Sequence, residues 1–342
     1  MGETLQDIAQ AMTASGKGIL AADESTGTIK KRFDTINTES TADSRRDYRE
    51  MLFRADAAMR SYISGVIMYD ETIRQSAADG TPLVTLLQNA GSVPGIKVDT
   101  GAKDLAGFPG EKVTEGLDGL RERLAEYYEL GARFAKWRGV ITIGEAMPSP
   151  ACINANAHAL ARYAALCQEQ KIVPIVEPEV LMDNPGADHS IDRCDEVTRH
   201  TLKTVFAALA EQAVALDGIV LKPNMVIAAK GAAQQASAED VAERTVACLK
   251  ECVPADVPGI AFLSGGQEDL EATHHLSLMN AAGSLPWNLT FSYGRALQAP
   301  ALKAWGGKSE NVPAAQAAFA HRAHMNALAA LGEWSQSQEM AA

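Results

Sequence analysis

The sequence lacks any apolar run long enough to cross a membrane, which takes about 20 consecutive apolar residues in a helix. Its N-terminal stretch, MGETLQDIAQAM, has no basic patch followed by an apolar segment, so it does not look like a secretory signal. Gln6 occupies the position at which the N-myristoylation pattern requires serine or threonine. We therefore expect a cytoplasmic protein without a membrane partner.

Positive charge is scarce. Lysine and arginine total 31 against 43 aspartates and glutamates, which gives a formal net charge of −12. A molecule of that charge repels nucleic acid and anionic membrane surfaces, so we expect neither as a partner. An anionic substrate would need its own local cluster of positive side chains.

Cysteine and histidine form no recognisable metal motif. The five cysteines include no CxxC pair, and Cys248 and Cys252 lie four residues apart in a stretch with helical periodicity. That pair could share a metal ion, but without a second ligand pair two reduced thiols are the better interpretation. None of the seven histidines ends a predicted strand, so a zinc-dependent reaction lacks ligands. We expect no metal and no cofactor.

What the sequence does contain is a series of eight short β-rich runs, most of them separated by stretches of helical periodicity. These runs cover residues 18–23, 65–70, 95–100, 133–141, 172–180, 218–225, 259–266 and 289–297. Such alternation implies parallel pairing, and eight strand–helix units close into a (β/α)8 barrel, the TIM barrel. An open doubly wound sheet is the alternative, but no GxGxxG follows a strand. We expect one α/β barrel domain over residues 1–342, with a helical lead-in and a C-terminal helix near 313–332.

Charged residues within these runs gather toward the C-terminal ends of the predicted strands. The seven are Asp23, Lys97, Lys136, Arg138, Glu177, Glu179 and Lys222. In a barrel that end of the sheet carries the active site, because the βα loops open there. Pro178 and Pro223, which follow Glu177 and Lys222, are expected to mark where each strand leaves the sheet. One such charge alone would favour a rim salt bridge, but seven together predict a functional cavity.

Lys222 follows the apolar run GIVL, where an unpaired ammonium group would be costly. Two lysines close together in apolar surroundings can lower the pKa of one of them, and a neutral amine can attack a carbonyl to form a Schiff base. The protonated imine accepts electrons when a carbon–carbon bond breaks, and a carboxylate such as Glu177 can transfer the protons. Lys222 is therefore predicted to be a nucleophile.

The last two runs indicate a phosphate site. FLSGGQ supplies Ser264 and two glycines, whose amides can approach an anion closely, and SYGRAL supplies Gly294 and Arg295. Loops after the seventh and eighth strands are the usual phosphate-binding place in a barrel. An SGG sequence alone is a common turn, so its pairing with GRAL on the next strand carries this prediction.

As a set, the motifs resemble class I fructose-bisphosphate aldolase. They run in order from about Gly16 to Trp305 and into the following helix: GKGILAADESTGTIKKR, GIKVDTG, FAKWR, IVPIVEPE, VLKPNM, FLSGGQ and FSYGRALQAPALKAWGG. The resemblance implies reversible cleavage of D-fructose 1,6-bisphosphate to glycerone phosphate and D-glyceraldehyde 3-phosphate, in glycolysis and gluconeogenesis. It also implies a homotetramer.

The resemblance further implies a role for individual residues. Lys222 would form the Schiff base, and Glu177 would be the principal acid and base with Glu179 beside it. Lys136 would assist proton transfer, and Asp23 would handle the substrate hydroxyl. The implied contacts to the ketone-side phosphate are Ser264, Gly265, Gly266, Ser292, Gly294 and Arg295. The implied contacts to the other phosphate or the adjoining chain are Ser25, Thr28, Lys97 and Arg138, with Lys31 and Arg32 nearby.

The sequence departs from the family at two places. Thr28 stands where the family has serine, and no tyrosine follows Tyr293, although eukaryotic members end in a tyrosine that helps exchange a proton on the enamine. We expect that proton step to use another group or to be slower.

Two other functions remain open at this point, as does the choice between fructose 1,6-bisphosphate and fructose 1-phosphate. A different Schiff-base barrel lyase, such as a transaldolase or deoxyribose-phosphate aldolase, is opposed by the paired phosphate signals. A non-catalytic scaffold is opposed by the joint presence of Asp23, Lys136, Glu177 and Lys222.

Overall fold

A closed barrel of parallel strands organises residues 4–340, the part of the chain that the structure, a computed structural model, describes. The strands are β1 (Gly18–Ala22), β2 (Ile63–Met68), β3 (Val93–Lys97), β4 (Gly101–Asp104), β5 (Lys112–Glu115), β6 (Phe134–Ile141), β7 (Val173–Val180), β8 (Val220–Leu221), β9 (Gly259–Phe262) and β10 (Asn288–Tyr293). Around the barrel their order is β1, β10, β9, β8, β7, β6, β3 and β2. The predicted (β/α)8 architecture is confirmed.

Helices surround the barrel and lie at its ends. They are α1 (Leu5–Met12), α2 (Thr26–Asp34), α3 (Ala42–Phe53), α4 (Asp56–Tyr62), α5 (Asp70–Ile73), α6 (Leu83–Asn89), α7 (Leu120–Glu129), α8 (Pro150–Glu169), α9 (Ile191–Glu211), α10 (Ala238–Cys252), α11 (Asp269–Ala281), α12 (Arg295–Trp305), α13 (Val312–Ala330) and α14 (Gln336–Glu339). Because the barrel strands are covered on both faces, they read as nearly continuous apolar runs. The predicted lead-in helix is α1, and the predicted C-terminal helix is α13.

The barrel interior is apolar and is closed at the N-terminal ends of the strands by α1. Its inward side chains, buried together with Ile8, Ala9 and Met12 of α1, are Ile19, Ala21, Ile67, Phe134, Val173, Ile175, Val220 and Ala261. Thr4 caps α1 by accepting a hydrogen bond from the Asp7 N–H. With that end filled, the barrel opens at the C-terminal ends of its strands.

The prediction that Pro178 marks the end of its strand is wrong. β7 continues past it to Val180, and every residue from Val173 to Val180 pairs with β6. Pro223, in contrast, lies just beyond the end of β8.

Pro178 is accommodated because it faces the neighbour that has already ended. The backbone N–H and C=O groups of successive residues face the two neighbouring strands in turn. Those of Val176, Pro178 and Val180 therefore lie on the side toward β8. There the Val176 carbonyl accepts from the Lys222 N–H at 2.8 Å, and the Val180 N–H donates to Asn224 Oδ1 at 3.0 Å. Pairing between β7 and β8 ends at Val176 and Leu221, so Pro178 lies beyond the last paired residue on that side.

A two-stranded antiparallel sheet, β4 and β5, was not predicted from the sequence. It follows β3 and packs over the end of β6, where Thr114 Oγ1 donates to the Arg138 carbonyl at 2.6 Å. Its strands are four residues each and mostly polar, so they lack the apolar alternation that reveals a strand.

Within residues 4–340, no helix combines the length and apolarity that a membrane crossing requires.

Candidate active site

A cavity of about 540 Å³ opens at the C-terminal ends of the barrel strands. Six cationic side chains line it: Arg32, Lys97, Lys136, Arg138, Lys222 and Arg295. Six carboxylates accompany them: Asp23, Glu24, Asp99, Glu177, Glu179 and Asp183. Positive and negative side chains are therefore equal in number in this cavity, although the formal net charge of the protein is −12. The six cations supply the local cluster of positive charge that an anionic substrate needs.

Most of the candidate residues from the sequence line this cavity. Besides the charged ones, these are Ser25, Thr28, Ser264, Gly265, Ser292 and Gly294. Two candidates do not line it. Lys31 is exposed on α2, and Gly266 borders a second cavity on the other side of its loop.

Lys222 lies at the floor of the cavity immediately after β8. Its side chain is almost fully buried, and its Nζ lies 3.0 Å from Glu177 Oε1. Its backbone N–H forms the last ladder bond of the strand, and Pro223 then turns the chain away. The side chain is thus held on stiff backbone and points into the cavity.

Glu177 joins two lysines. Its Oε1 faces Lys222, and its Oε2 lies 3.0 Å from the Nζ of Lys136. The same Nζ lies 3.1 Å from Asp23 Oδ2, so Asp23, Lys136, Glu177 and Lys222 form one chain of alternating charge. Burial alone would be costly for each group, and this alternation compensates it.

The charges fix the protonation states along this chain. Burial would raise the pKa of Asp23, but Lys136, Lys222 and Lys97 outweigh it and lower that pKa to about 2. Burial would lower the pKa of Lys136, but Asp23 and Glu177 raise it well above its ordinary value. Burial would also raise the pKa of Glu177, yet the neighbouring cations hold it below its usual range. At neutral pH, Asp23 is an available base and Lys136 a fixed cation.

Two further ion pairs line the same cavity. Lys97 Nζ lies 3.0 Å from Asp99 Oδ1, and Arg138 Nε donates to Glu179 Oε2. Glu179 raises the pKa of Arg138, so its guanidinium stays charged. Each cation keeps donors that can meet an anion at this side of the cavity.

The part of the cavity at the ends of β9 and β10 combines glycines with an arginine. A Cβ on Gly265 would lie 2.9 Å from Glu179 Oε1, and a Cβ on Gly294 would lie 3.4 Å from the Ala21 carbonyl. Ser292 Oγ is buried and has no hydrogen-bond partner among residues 4–340. Together with Arg295, these residues bring two glycines without side chains, the Ser292 hydroxyl and a guanidinium to one cavity, which suits a phosphate.

The sequence did not reveal the residues that hold Arg32 in place. Glu24 Oε1 lies 2.5 Å from Arg32 Nη1 and accepts from Gln298 Nε2 at 3.0 Å, and the buried Arg49 donates to the Glu24 carbonyl at 2.8 Å. Glu24 directly follows Asp23 in the sequence, and that adjacency was the one available signal. Gln298 is 274 residues away from Glu24, so no local pattern could join them.

All five cysteines are free and buried. Within residues 4–340, no three or more His, Cys, Asp or Glu side chains are grouped to hold a metal ion, so Cys248 and Cys252 have no further ligand beside them.

Comparison with known proteins agrees with this geometry. Residues 4–342 match the family described as Fructose-bisphosphate aldolase class-I. The chain is 59% identical over 333 residues to a probable fructose-bisphosphate aldolase class 1 of Xanthomonas campestris pv. campestris, covering 97% of this chain and 98% of the relative. It is 52% identical over 318 residues to fructose-bisphosphate aldolase 4, cytosolic, of Arabidopsis thaliana, covering 93% and 80%.

A solved structure is also similar along nearly its whole length. It is a fructose-bisphosphate aldolase from Plasmodium falciparum, solved in a ternary complex with TRAP and a small-molecule inhibitor. The TM-score is 0.93 and the identity 49%, with 97% of this chain and 95% of that chain covered. The chain belongs to the class I fructose-bisphosphate aldolase family.

Proposed function

We propose that this lyase performs the reaction of its family, the reversible cleavage of D-fructose 1,6-bisphosphate, through a Schiff base on Lys222. The observation that carries this assignment is the buried chain Asp23–Lys136–Glu177–Lys222, whose successive contacts are 3.0–3.1 Å. It combines a nucleophile, a proton carrier, a fixed cation and a base at the floor of one cavity.

Schiff-base formation begins at Lys222. Its neutral amine adds to the C2 carbonyl of the sugar, after Glu177 Oε1 has taken the ammonium proton across 3.0 Å. Glu177 then returns that proton to the new hydroxyl, which leaves as water. Lys136 stays protonated and holds the other oxygen of Glu177. The product is a protonated imine on Lys222.

Carbon–carbon cleavage follows at the other end of the chain. Asp23, which is ionised at neutral pH because its pKa is about 2, takes the proton of the C4 hydroxyl. The C3–C4 bond breaks, its electrons move into the imine to give an enamine, and glyceraldehyde 3-phosphate leaves. The proton held by Asp23 then passes to C3, and addition of water to the imine releases glycerone phosphate and regenerates the Lys222 amine.

The two phosphates are proposed to bind on opposite sides of this chain. Arg295 with the glycines and serines of the last two strands would hold the ketone-side phosphate. Lys97 and Arg138, with Ser25 and Thr28 at the mouth, would hold the other phosphate. We propose that Arg32 assists there, and that Lys31 contributes only long-range charge because it lies outside the cavity.

Assembly and location are proposed from the relatives. A homotetramer is the family's expected state, and light scattering during gel filtration should give about four times the mass of the chain. A cytoplasmic location is supported by the Arabidopsis relative, which is named cytosolic.

Replacing the nucleophile tests the proposed reaction. Lys222→Met should lower kcat for fructose 1,6-bisphosphate by at least about 10³-fold, because the covalent route is lost. Lys30→Met is the matched control, since Lys30 is an exposed side chain paired with Asp34 on α2. EDTA should leave wild-type activity intact. Activity of Lys222→Met above a tenth of wild type would contradict the proposal.

A further inference from the structure

The loop of residues 263–268 joins β9 to α11 and separates the active-site cavity from a second cavity of about 340 Å³. Gly266 in this loop has φ +77°, and a Cβ there would lie 2.5 Å from the Cβ of Met182. The loop is therefore packed closely against the segment that carries Met182. Gln267 lies at the far end of this loop.

Gln267 holds that far end through two hydrogen bonds. Its backbone carbonyl accepts from Arg295 Nη2 at 2.6 Å, and its side-chain Oε1 lies 2.7 Å from His275 Nδ1. Gln267 is only 2% exposed, and its Nε2 has no partner among residues 4–340. The bond to His275 is therefore the one hydrogen bond that fixes this side chain within the described residues.

His275 is suited to be a permanent donor. It lies on α11, which packs against α10 and α13, and its side chain borders the second cavity. Burial lowers the pKa of His275 to about 4, although Glu271 and Glu239 oppose the shift. The ring is then neutral above about pH 5, and Nδ1 carries the hydrogen because the amide oxygen can only accept.

We propose that His275 is a positioning residue for the ketone-side phosphate: it fixes Gln267, and the Gln267 carbonyl fixes the guanidinium of Arg295. This inference rests on the proposed function, because it takes Arg295 to be a phosphate ligand. One N–H of the guanidinium is committed to Gln267, so the remaining donors keep a constant direction toward the cavity. Chemistry at Lys222 does not depend on this link.

Two substitutions at position 275 separate the hydrogen bond from the shape of the side chain. His275→Leu removes the donor and leaves the buried Gln267 amide without a bond, so KM for fructose 1,6-bisphosphate should rise about tenfold. KM for fructose 1-phosphate, which carries only the ketone-side phosphate, should rise by the same factor. The kcat should stay within about twofold of wild type, since the loss is in binding. His275→Asn keeps an N–H three bonds from Cα and should restore most of the affinity.

The neighbouring His274→Leu is the control, since His274 packs on Trp334 with ring centroids 5.4 Å apart and should leave KM unchanged. Gln267→Met removes the acceptor but keeps the backbone carbonyl, and it should reproduce the effect of His275→Leu. It also provides the test if His275→Leu does not fold.

The outcomes distinguish this inference from the proposed function. A wild-type protein that traps glycerone phosphate with borohydride, while KM is unchanged in His275→Leu and Gln267→Met, overturns the positioning role alone. Equal impairment of His275→Asn and His275→Leu also overturns it, because the hydrogen bond would then not matter. Absence of any trapped adduct in the wild type overturns the proposed function itself.

Discussion

At the scale of residues, the buried ammonium group of Lys222 is tolerated because it is one member of an alternating chain of charge. An isolated buried charge is expensive, and the two carboxylates Asp23 and Glu177 compensate the two lysines of the chain. The arrangement that satisfies these charges also supplies the proton transfers of the proposed reaction. Stability and chemistry therefore depend on the same four side chains.

Asp23→Asn should separate Schiff-base formation from carbon–carbon cleavage. We expect kcat for fructose 1,6-bisphosphate to fall by about 10²-fold or more, since the base for the C4 hydroxyl is lost. Borohydride trapping with glycerone phosphate should stay near the wild-type level, because that half-reaction breaks no such bond. The folded pKa of Asp23 is about 2, below its ordinary value, so the carboxylate is ionised at every pH above about 4 and the defect should not change between pH 5 and 8.

Asp34→Asn, on the exposed face of α2, is the matched control. A trapping defect in Asp23→Asn as large as its kcat defect would show that Asp23 acts before cleavage.

The chemistry-bearing residues were predictable from the sequence because each is a charge that interrupts or ends an apolar run, but their supporting residues were not. Glu24 lies buried among Arg32, Arg49 and Gln298, which come from three different helices. Gln298 comes close to Glu24 because β1 pairs with β10 when the barrel closes. A contact between residues 274 positions apart leaves no periodic pattern in the local sequence from which it could be predicted.

At the scale of elements, the strand within the run 218–225 is shorter than the run itself, because Lys222 and Pro223 end it. Only Val220 and Leu221 are strand, although the whole run was predicted as one. Lys222 and Pro223 follow, and the Asn224 side chain then takes over by accepting from the Val180 N–H. Apolar content predicted the strand correctly, whereas its end depended on which neighbour could supply the hydrogen bond.

The packing of the barrel interior requires a glycine beside the large ring of Phe134. Phe134 of β6 is fully buried, and a Cβ on Gly95 of β3 would lie 2.2 Å from its ring. Gly95→Ala should therefore lower the free energy of unfolding by about 1–3 kcal/mol, as overpacked cores do. Urea denaturation gives that quantity directly.

Gly27→Ala is the control for this measurement, since a Cβ on Gly27 meets nothing within 4 Å. It should change the free energy of unfolding by less than about 1 kcal/mol. An unchanged stability of Gly95→Ala would mean that the barrel floor has room that the packing does not indicate.

At the scale of the whole molecule, the first and last strands of the barrel are tied together. β1 pairs with β10, Asn288 Nδ2 donates to the Thr13 carbonyl at 3.1 Å, and Gln298 Nε2 donates to the Ala21 carbonyl at 2.6 Å. Sequence alone predicted this closure from the number of strand–helix units. It could not predict the β4–β5 sheet, whose short polar strands depend on the packing of their neighbours.

A single barrel domain over residues 1–342 stays a prediction, and unfolding can test it. Because closure joins the first and last strands, we expect one cooperative transition, with far-UV circular dichroism and tryptophan fluorescence changing at the same urea concentration. Two separate transitions would indicate two independently stable units.

The central claim is that the amine of Lys222 bonds covalently to the ketose. Wild-type protein should be incubated with glycerone phosphate, reduced with sodium borohydride, digested, and its modified peptides identified by mass spectrometry. The adduct should lie on Lys222 alone and should be absent from Lys222→Met. An adduct on Lys136 instead, or one that persists in Lys222→Met, would contradict the account.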